Sequence, residues 1–147
     1  MPAAMRTATP TADSPAALAQ VLAMIMATHA ETDSEEVRML EGMDAFKRIG
    51  VSEPAFLKIA GECRSGACHD LAQHEWLHGD DLEAIDQILD QVQDTHHRLL
   101  LCRLAGCLIT ADGHVREVER SLYDHMLLHW GYTRSSVSRA MLAARVH

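Results

Sequence analysis

The residues that could do chemistry lie in two acidic stretches, and each stretch leads into a helical pattern of apolar residues. The C-terminal stretch contains Asp112, Glu117 and Glu119, and the N-terminal one contains Asp33 and Glu36. Hard divalent cations such as Ca²⁺ bind several carboxylate oxygens at once. If the two halves of the chain pack together, the two stretches could share one such ion, and Ca²⁺ is the favoured one. The alternative is that these acids are helix caps and first-turn residues that need no ligand.

A second candidate site is the segment HEWLH at 74–78, which matches the HExxH pattern of zinc hydrolases. On a helix, His74 and His78 would face one side and bind Zn²⁺, while Glu75 would act as the general base. However, Gly79 follows the second histidine directly and would break the helix there. We therefore expect a fortuitous match and a chain that is not an enzyme. A small zinc-dependent hydrolase is the alternative.

Cysteines and histidines are spaced like metal ligands in two further places. Cys63, Cys68 and the adjacent His69, with His74 and His78 nearby, could form a structural zinc site, but we expect buried or incidental thiols instead. His125 and His129 would lie on one face of a helix, because residues at i and i+4 are neighbours there. This pair could bind a metal ion if a third ligand lay nearby, and without one we expect ordinary surface histidines.

The elements that carry these residues all show helical patterns. Residues 99–109 are apolar on nearly every side, which predicts a helix buried among other helices. The glycine of the turn ADG at 111–113 marks the end of that helix. Val115, Val118 and Leu122 then follow at helical spacing. This part of the chain therefore predicts a buried helix, an acidic turn and an amphipathic helix.

The N-terminal part repeats this order of elements. Residues 16–27 are again apolar nearly all round, and an acidic stretch and a second helical pattern follow. A shift of 81 positions aligns Ala30 with Ala111 and Gly50 with Gly131. Self-similarity at a fixed offset is typical of duplicated units. We therefore expect two pseudo-repeated halves, with a chance match as the alternative.

Capping residues divide the chain into seven or eight helices. Asp13 or Ser14 can cap a first helix that starts at Pro15, so we expect residues 1–14 to be a flexible tail and 15–147 a single domain. A second helix is expected to start at Asp33 or Ser34 and to run to about Ile49, with Gly50 ending it, and Ser52 is expected to start a third. Further helices are predicted over 82–92, after Asp94-Thr95 and after Thr133. Many helices with short connections predict a compact all-α bundle.

Composition limits the classes of partner. The net charge is −8, which argues against nucleic acids because binding them requires basic patches. No apolar run reaches the roughly 18–20 residues that span a membrane, so we expect no membrane insertion. The four cysteines do not form the dense pattern of a secreted disulfide scaffold, which predicts a cytoplasmic protein. The expected partners are other proteins that bind its acidic face, and the oligomeric state stays open.

The chain resembles the TerB-like family, which is named for tellurite resistance. The resemblance covers roughly residues 18–143 and rests on the apolar helix ending in ADG at 111–113, on Val115 and Glu119, and on WGYT at 130–133. It implies an all-α, non-enzymatic domain that acts in stress response or as an interaction scaffold. It also implies an acidic surface that binds a divalent cation, with Asp112 and Glu119 as the first ligands. The first half departs from the pattern, because ETD at 31–33 replaces the family's Asp-Gly.

Overall fold

A computed structural model of the chain describes residues 11–27, 34–66, 79–110 and 117–139. Across these four ranges the regular structure is entirely helical and contains no strand, which confirms the predicted all-α class. The helices are α1 (Pro15–Met26), α2 (Ser34–Gly42), α3 (Ala45–Ile49), α4 (Glu53–Ser65), α5 (Gly79–Leu89), α6 (Thr95–Thr110) and α7 (Glu117–Trp130). Residues 134–139 form a further helical segment. None of the helices in these ranges combines the length and the apolar character needed to cross a membrane.

Helix α1 lies at the centre of the bundle. Every side chain from Ala17 to Ala27 except that of Gln20 is buried, and α1 packs against α3, α4, α5, α6 and α7. A helix that is apolar all round must be covered on all sides, and here five other helices cover it. Helix α6, the other apolar helix, is buried on one side only, because Arg103 and Cys107 are partly exposed.

The helix starts follow the capping residues. The hydroxyl oxygen of Ser14 accepts a hydrogen bond from the N–H of Ala17 at 3.2 Å, and Ser52 accepts one from Ala55 at 3.2 Å. In both places a proline follows within the first two helical positions. Each serine therefore satisfies one of the N–H groups that lack an intrahelical acceptor, and both predicted starts are confirmed.

The prediction of a single second helix up to Ile49 is wrong, because this segment forms two helices, α2 and α3. Asp44 separates them with φ +56°, in the left-handed region. A residue in this conformation interrupts an α-helix, and aspartate is one of the few non-glycine residues that adopt it at small cost. Gly50 ends α3 with φ +88°, as predicted, and a Cβ there would lie 3.2 Å from Cγ of Pro15. The end of α3 is therefore packed closely against the start of α1.

Asp13 ties the segment before α1 to the loop between α5 and α6. Its carboxylate accepts hydrogen bonds from the N–H groups of Gln93 and Asp94, both at 3.0 Å, and contacts Nδ1 of His97 at 3.1 Å. Its own N–H donates to the carbonyl of Gln91 at 2.8 Å. Burial disfavours the charged carboxylate, but the hydrogen bonds from Asp94, His97 and Gln93 outweigh burial and lower the pKa of Asp13. Asp13 thereby fixes the loop that follows α5.

Candidate metal centre

Two carboxylates at the end of α5 face two imidazoles of α7. Oδ1 of Asp86 lies 2.6 Å from Nε2 of His125 and 3.3 Å from Nδ1 of His129. Oδ1 of Asp90 lies 2.7 Å from Nε2 of His129. The rings of His125 and His129 are stacked, with their centroids 6.0 Å apart and their planes 26° apart. The four side chains form one continuous polar cluster across the α5–α7 contact.

The helix geometry explains why the four residues meet. Asp86 lies in α5, and Asp90 follows the helix directly, with its N–H still donating to the carbonyl of Asp86 at 2.9 Å. The two histidines are four positions apart on α7, and residues at this spacing share a helix face. Both close pairs, Asp86 with His125 and Asp90 with His129, are separated by 39 positions in the chain. The pairing therefore advances in the same direction along both helices, which run roughly parallel at this point.

Trp130 fixes the ends of the two helices relative to each other. Its indole N–H donates to the carbonyl of Leu89 at 3.3 Å, and only 7% of the residue is exposed. The guanidinium of Arg98 lies 5.6 Å from the centroid of the Trp130 ring, and its Nε donates to the carbonyl of Val92 at 2.9 Å. The C-terminal end of α5 is therefore held against α7 independently of the polar cluster.

The electrostatics of this cluster favour a cation. When both imidazoles are neutral, Asp86 and Asp90 give the cluster two negative charges. The cluster also lies near the C-terminal ends of α5 and α7, where the helix macrodipoles are negative. A divalent cation would neutralise the two carboxylates at a place where two helix ends already attract positive charge.

Three of the side chains have the spacing of a metal-ligand set. One ligand atom each from Asp86, His125 and His129 lies within 4.8 Å of the others. Ligand atoms around a tetrahedral Zn²⁺ are about 3.3 Å apart, given bond lengths of about 2.0–2.1 Å. The contact of Asp86 with His129 already has this distance. The 2.6 Å contact of Asp86 with His125 is a hydrogen bond, so an ion would have to displace the proton between Oδ1 and Nε2 and lengthen the contact by about 0.7 Å.

The cluster is open to solvent on one side. The exposed fractions of the side chains are 22% for His125, 25% for His129 and 38% for Asp86. Solvent therefore reaches all three side chains and could supply a fourth ligand to an ion bound there. Three protein ligands with an open position are the pattern of an exchangeable or reactive metal site rather than of a closed structural one.

The acidic residues predicted from the sequence lie elsewhere. Glu117 is exposed on α7, whereas Glu119, two positions further on, is buried with 2% exposure. Residues two positions apart project from different sides of a helix, so these two carboxylates do not face one common ion on α7. Asp33 and Asp112 lie outside the described residues, and of Glu36 only the backbone, in α2, is described. A calcium site at the acidic turns stays a prediction.

The other predicted sites are only partly covered. HEWLH at 74–78 and Cys68 lie outside the described residues. Cys63 is disulfide-bonded, so it lacks the thiolate that a zinc ligand needs, and its interpretation as a free buried thiol is wrong. Cys102 and Cys107 are not disulfide-bonded, and burial raises the pKa of Cys102 to about 12. The expectation of a cytoplasmic location stays a prediction.

The sequence identified only half of this cluster. His125 and His129 were recognisable as a pair on one helix face, but the third ligand was not assigned. Asp86 and Asp90 carry a usable signal, because they repeat the four-residue spacing of the histidines. Their pairing with α7 depends on how α5 packs, which local patterns do not specify.

Comparison with protein-family models, with curated proteins and with solved structures yields no match for this chain.

Proposed function

We propose that this chain is a non-enzymatic all-α domain that binds one divalent transition-metal ion between α5 and α7. The observation that carries the proposal is the approach of Asp86, His125 and His129 to within 4.8 Å of one another, from two separate helices. The two carboxylates of the cluster and the two helix ends beside it support the same conclusion. Asp86, His125 and His129 are the ligands in this proposal, and solvent supplies the remaining position.

The donor set favours a transition metal over Ca²⁺. Imidazole nitrogen suits Zn²⁺, Fe²⁺ and Ni²⁺, whereas Ca²⁺ takes six to eight oxygen ligands. Two imidazoles and one carboxylate occur in zinc sites and in non-haem iron sites. We take Zn²⁺ as the probe ion, because it has no redox chemistry that would complicate a binding measurement.

The proposed biological role is that of a TerB-like stress-response domain that binds other proteins through its acidic face. Its support is the sequence resemblance together with the proposed duplication. Gly50 and Gly131, which the shift of 81 positions aligns, both end helices with positive φ, +88° and +79°. The same shift aligns the start of α1 at Pro15 with position 96, one residue into α6. Metal binding would give such a domain a response to metal ions, because an ion that ties α5 to α7 stabilises the folded state.

Thermal unfolding in the presence of metal tests this proposal. Wild-type protein freed of metal should gain melting temperature when Zn²⁺ is added, since a ligand of the folded state stabilises it by about 2.7 kcal/mol at 100 times its Kd. His125→Ala should lose this gain. His96→Ala is the matched control, because it removes an exposed histidine outside the cluster and should keep the gain. An equal gain in the wild type and in His125→Ala would refute the proposed site.

The same experiment separates the alternatives. If the chain is a zinc hydrolase that uses HEWLH at 74–78, His78→Ala should lose the gain in melting temperature with Zn²⁺, and His125→Ala should keep it. A calcium site at the acidic turns predicts a gain with Ca²⁺ that Glu119→Ala abolishes. An interaction domain without a metal predicts no gain with either ion.

A further inference from the structure

We infer that Asp90 is a positioning residue for the metal site, and that it acts by holding His129 in the tautomer whose Nδ1 is free to bind the ion. This inference rests on the proposed function, because it assigns a role to a residue outside the ligand set. It gives Asp86 in α5 and Asp90 directly after α5 different tasks, although they are one helical turn apart. Asp86 binds the ion, and Asp90 orients the imidazole that binds it.

The contacts of His129 carry the inference. Its Nε2 lies 2.7 Å from Oδ1 of Asp90, and its Nδ1 lies 3.3 Å from Oδ1 of Asp86. A neutral imidazole carries one proton, on one nitrogen or on the other. An ionised carboxylate only accepts hydrogen bonds, and the shorter contact therefore places the proton on Nε2, which donates it to Asp90. The lone pair is then on Nδ1, on the side of Asp86 and of the proposed ion.

The geometry also argues against Asp90 as a direct ligand. The two nitrogens of one imidazole ring point away from each other, so a single ion cannot lie in front of both. The set of mutually close ligand atoms consists of Asp86, His125 and His129. Asp90 contacts the opposite side of the His129 ring and is more exposed, at 69%. A carboxylate on the far nitrogen of a ligating histidine is the usual support of such ligands.

The carboxylate of Asp90 contributes little to holding α5 in place. It follows directly after α5, where the negative end of the helix macrodipole disfavours a carboxylate. Trp130 fixes the end of α5 through the carbonyl of Leu89 without involving Asp90. Removal of the Asp90 carboxylate should therefore change metal affinity far more than it changes folding, so the two effects can be measured separately.

The test compares Zn²⁺ affinity, by competition with a chromophoric chelator, in wild type, Asp90→Ala, Asp90→Asn and Glu83→Ala. Asp90→Ala should weaken binding by about 10–100-fold, the usual effect of losing such a partner. Asp90→Asn keeps an oxygen that accepts the Nε2 proton and should restore affinity close to that of the wild type. Glu83→Ala removes an exposed carboxylate from the same helix and controls for the change in net charge.

A second readout reports the tautomer directly. In metal-free wild type, NMR of the ring nitrogens of the neutral imidazole should show His129 protonated on Nε2. Asp90→Ala should shift the ring to a mixture of tautomers, and Asp90→Asn should not. Equal Zn²⁺ affinity in Asp90→Ala and Glu83→Ala would overturn the inference, as would a proton on Nδ1 in the wild type. Failure of the wild type to bind Zn²⁺ would instead overturn the proposed function together with this inference.

Discussion

Replacement of Asp13 by alanine should destabilise the fold strongly for a single change before the first helix. The carboxylate accepts hydrogen bonds from Gln93 and Asp94 and contacts His97, and 24% of its side chain is exposed. Water can partly replace these bonds, so we assign them together about 2 kcal/mol, the low end for bonds to a charged acceptor. Asp13 also has φ +59°, a conformation that costs alanine about 1 kcal/mol more. The free energy of unfolding should therefore fall by about 3 kcal/mol, and Tm by about 6–12 °C.

Two further substitutions separate the causes. Asp13→Asn keeps an oxygen acceptor and tolerates positive φ, so it should lose only about 1 kcal/mol. Asp13→Gly loses the hydrogen bonds, but glycine adopts positive φ without a steric penalty. Its loss of stability should therefore lie between those of the other two variants. Urea unfolding at neutral pH measures all three. The reasoning would be refuted by a loss below about 0.5 kcal/mol in Asp13→Ala, or by an equal loss in Asp13→Asn and Asp13→Ala.

Three other predictions follow from the described contacts. The pKa of Asp13 is lowered in the folded protein. The stability difference between wild type and Asp13→Ala should therefore have its full size at pH values above about 3.9, the ordinary pKa of aspartate. The part of this difference that comes from the charged carboxylate should be lost as pH falls through the lowered pKa, which leaves the backbone part of about 1 kcal/mol, and urea unfolding across this acidic range measures it. In folded protein a thiol reagent should modify the partly exposed Cys107 and spare Cys102, whose pKa burial raises to about 12; Cys107→Ala should lose the reaction. Phe56→Ala removes a fully buried ring that contacts Phe46 at 5.2 Å and should cost about 3–5 kcal/mol in urea unfolding.

Each of these three predictions has an outcome that would contradict it. The pH prediction fails if the stability difference persists unchanged at the acidic end of the range. The thiol prediction fails if Cys102 reacts in the folded protein as fast as Cys107 does. The core prediction fails if Phe56→Ala unfolds within about 1 kcal/mol of the wild type, because a buried phenyl ring leaves a large cavity.

Local chemistry made much of the fold predictable. Ser14 and Ser52 cap helices because their hydroxyl groups satisfy N–H groups that the helix leaves unpaired, and this depends on neighbouring residues only. Gly50 ends a helix because it adopts positive φ without a steric penalty. The break at Asp44 was missed, because aspartate in the left-handed region is chosen by the packing of α2 and α3 and not by a strong local preference.

The candidate site shows where such reasoning ends. The face shared by His125 and His129 follows from helical spacing alone, and the sequence revealed it. The contribution of Asp86 depends on the packing of α5 beside α7, across 39 positions of chain. Nothing in the neighbourhood of Asp86 specifies that contact, whereas the acidic stretches stood out because their charges are adjacent in sequence. The spacing of apolar residues therefore predicted the helices, whereas the packing of the helices against one another determines which side chains come together at the site.

The most direct test of the central claim is the zinc content per chain of protein purified without a histidine tag or chelator. Wild type should retain close to one zinc per chain after equilibration with the ion and removal of excess. The double variant His125→Ala/His129→Ala should retain none, and His96→Ala should match the wild type. Full zinc content in the double variant would contradict the account, because the ion would then be bound by other residues. A wild type that holds no zinc, iron or nickel would contradict it as well.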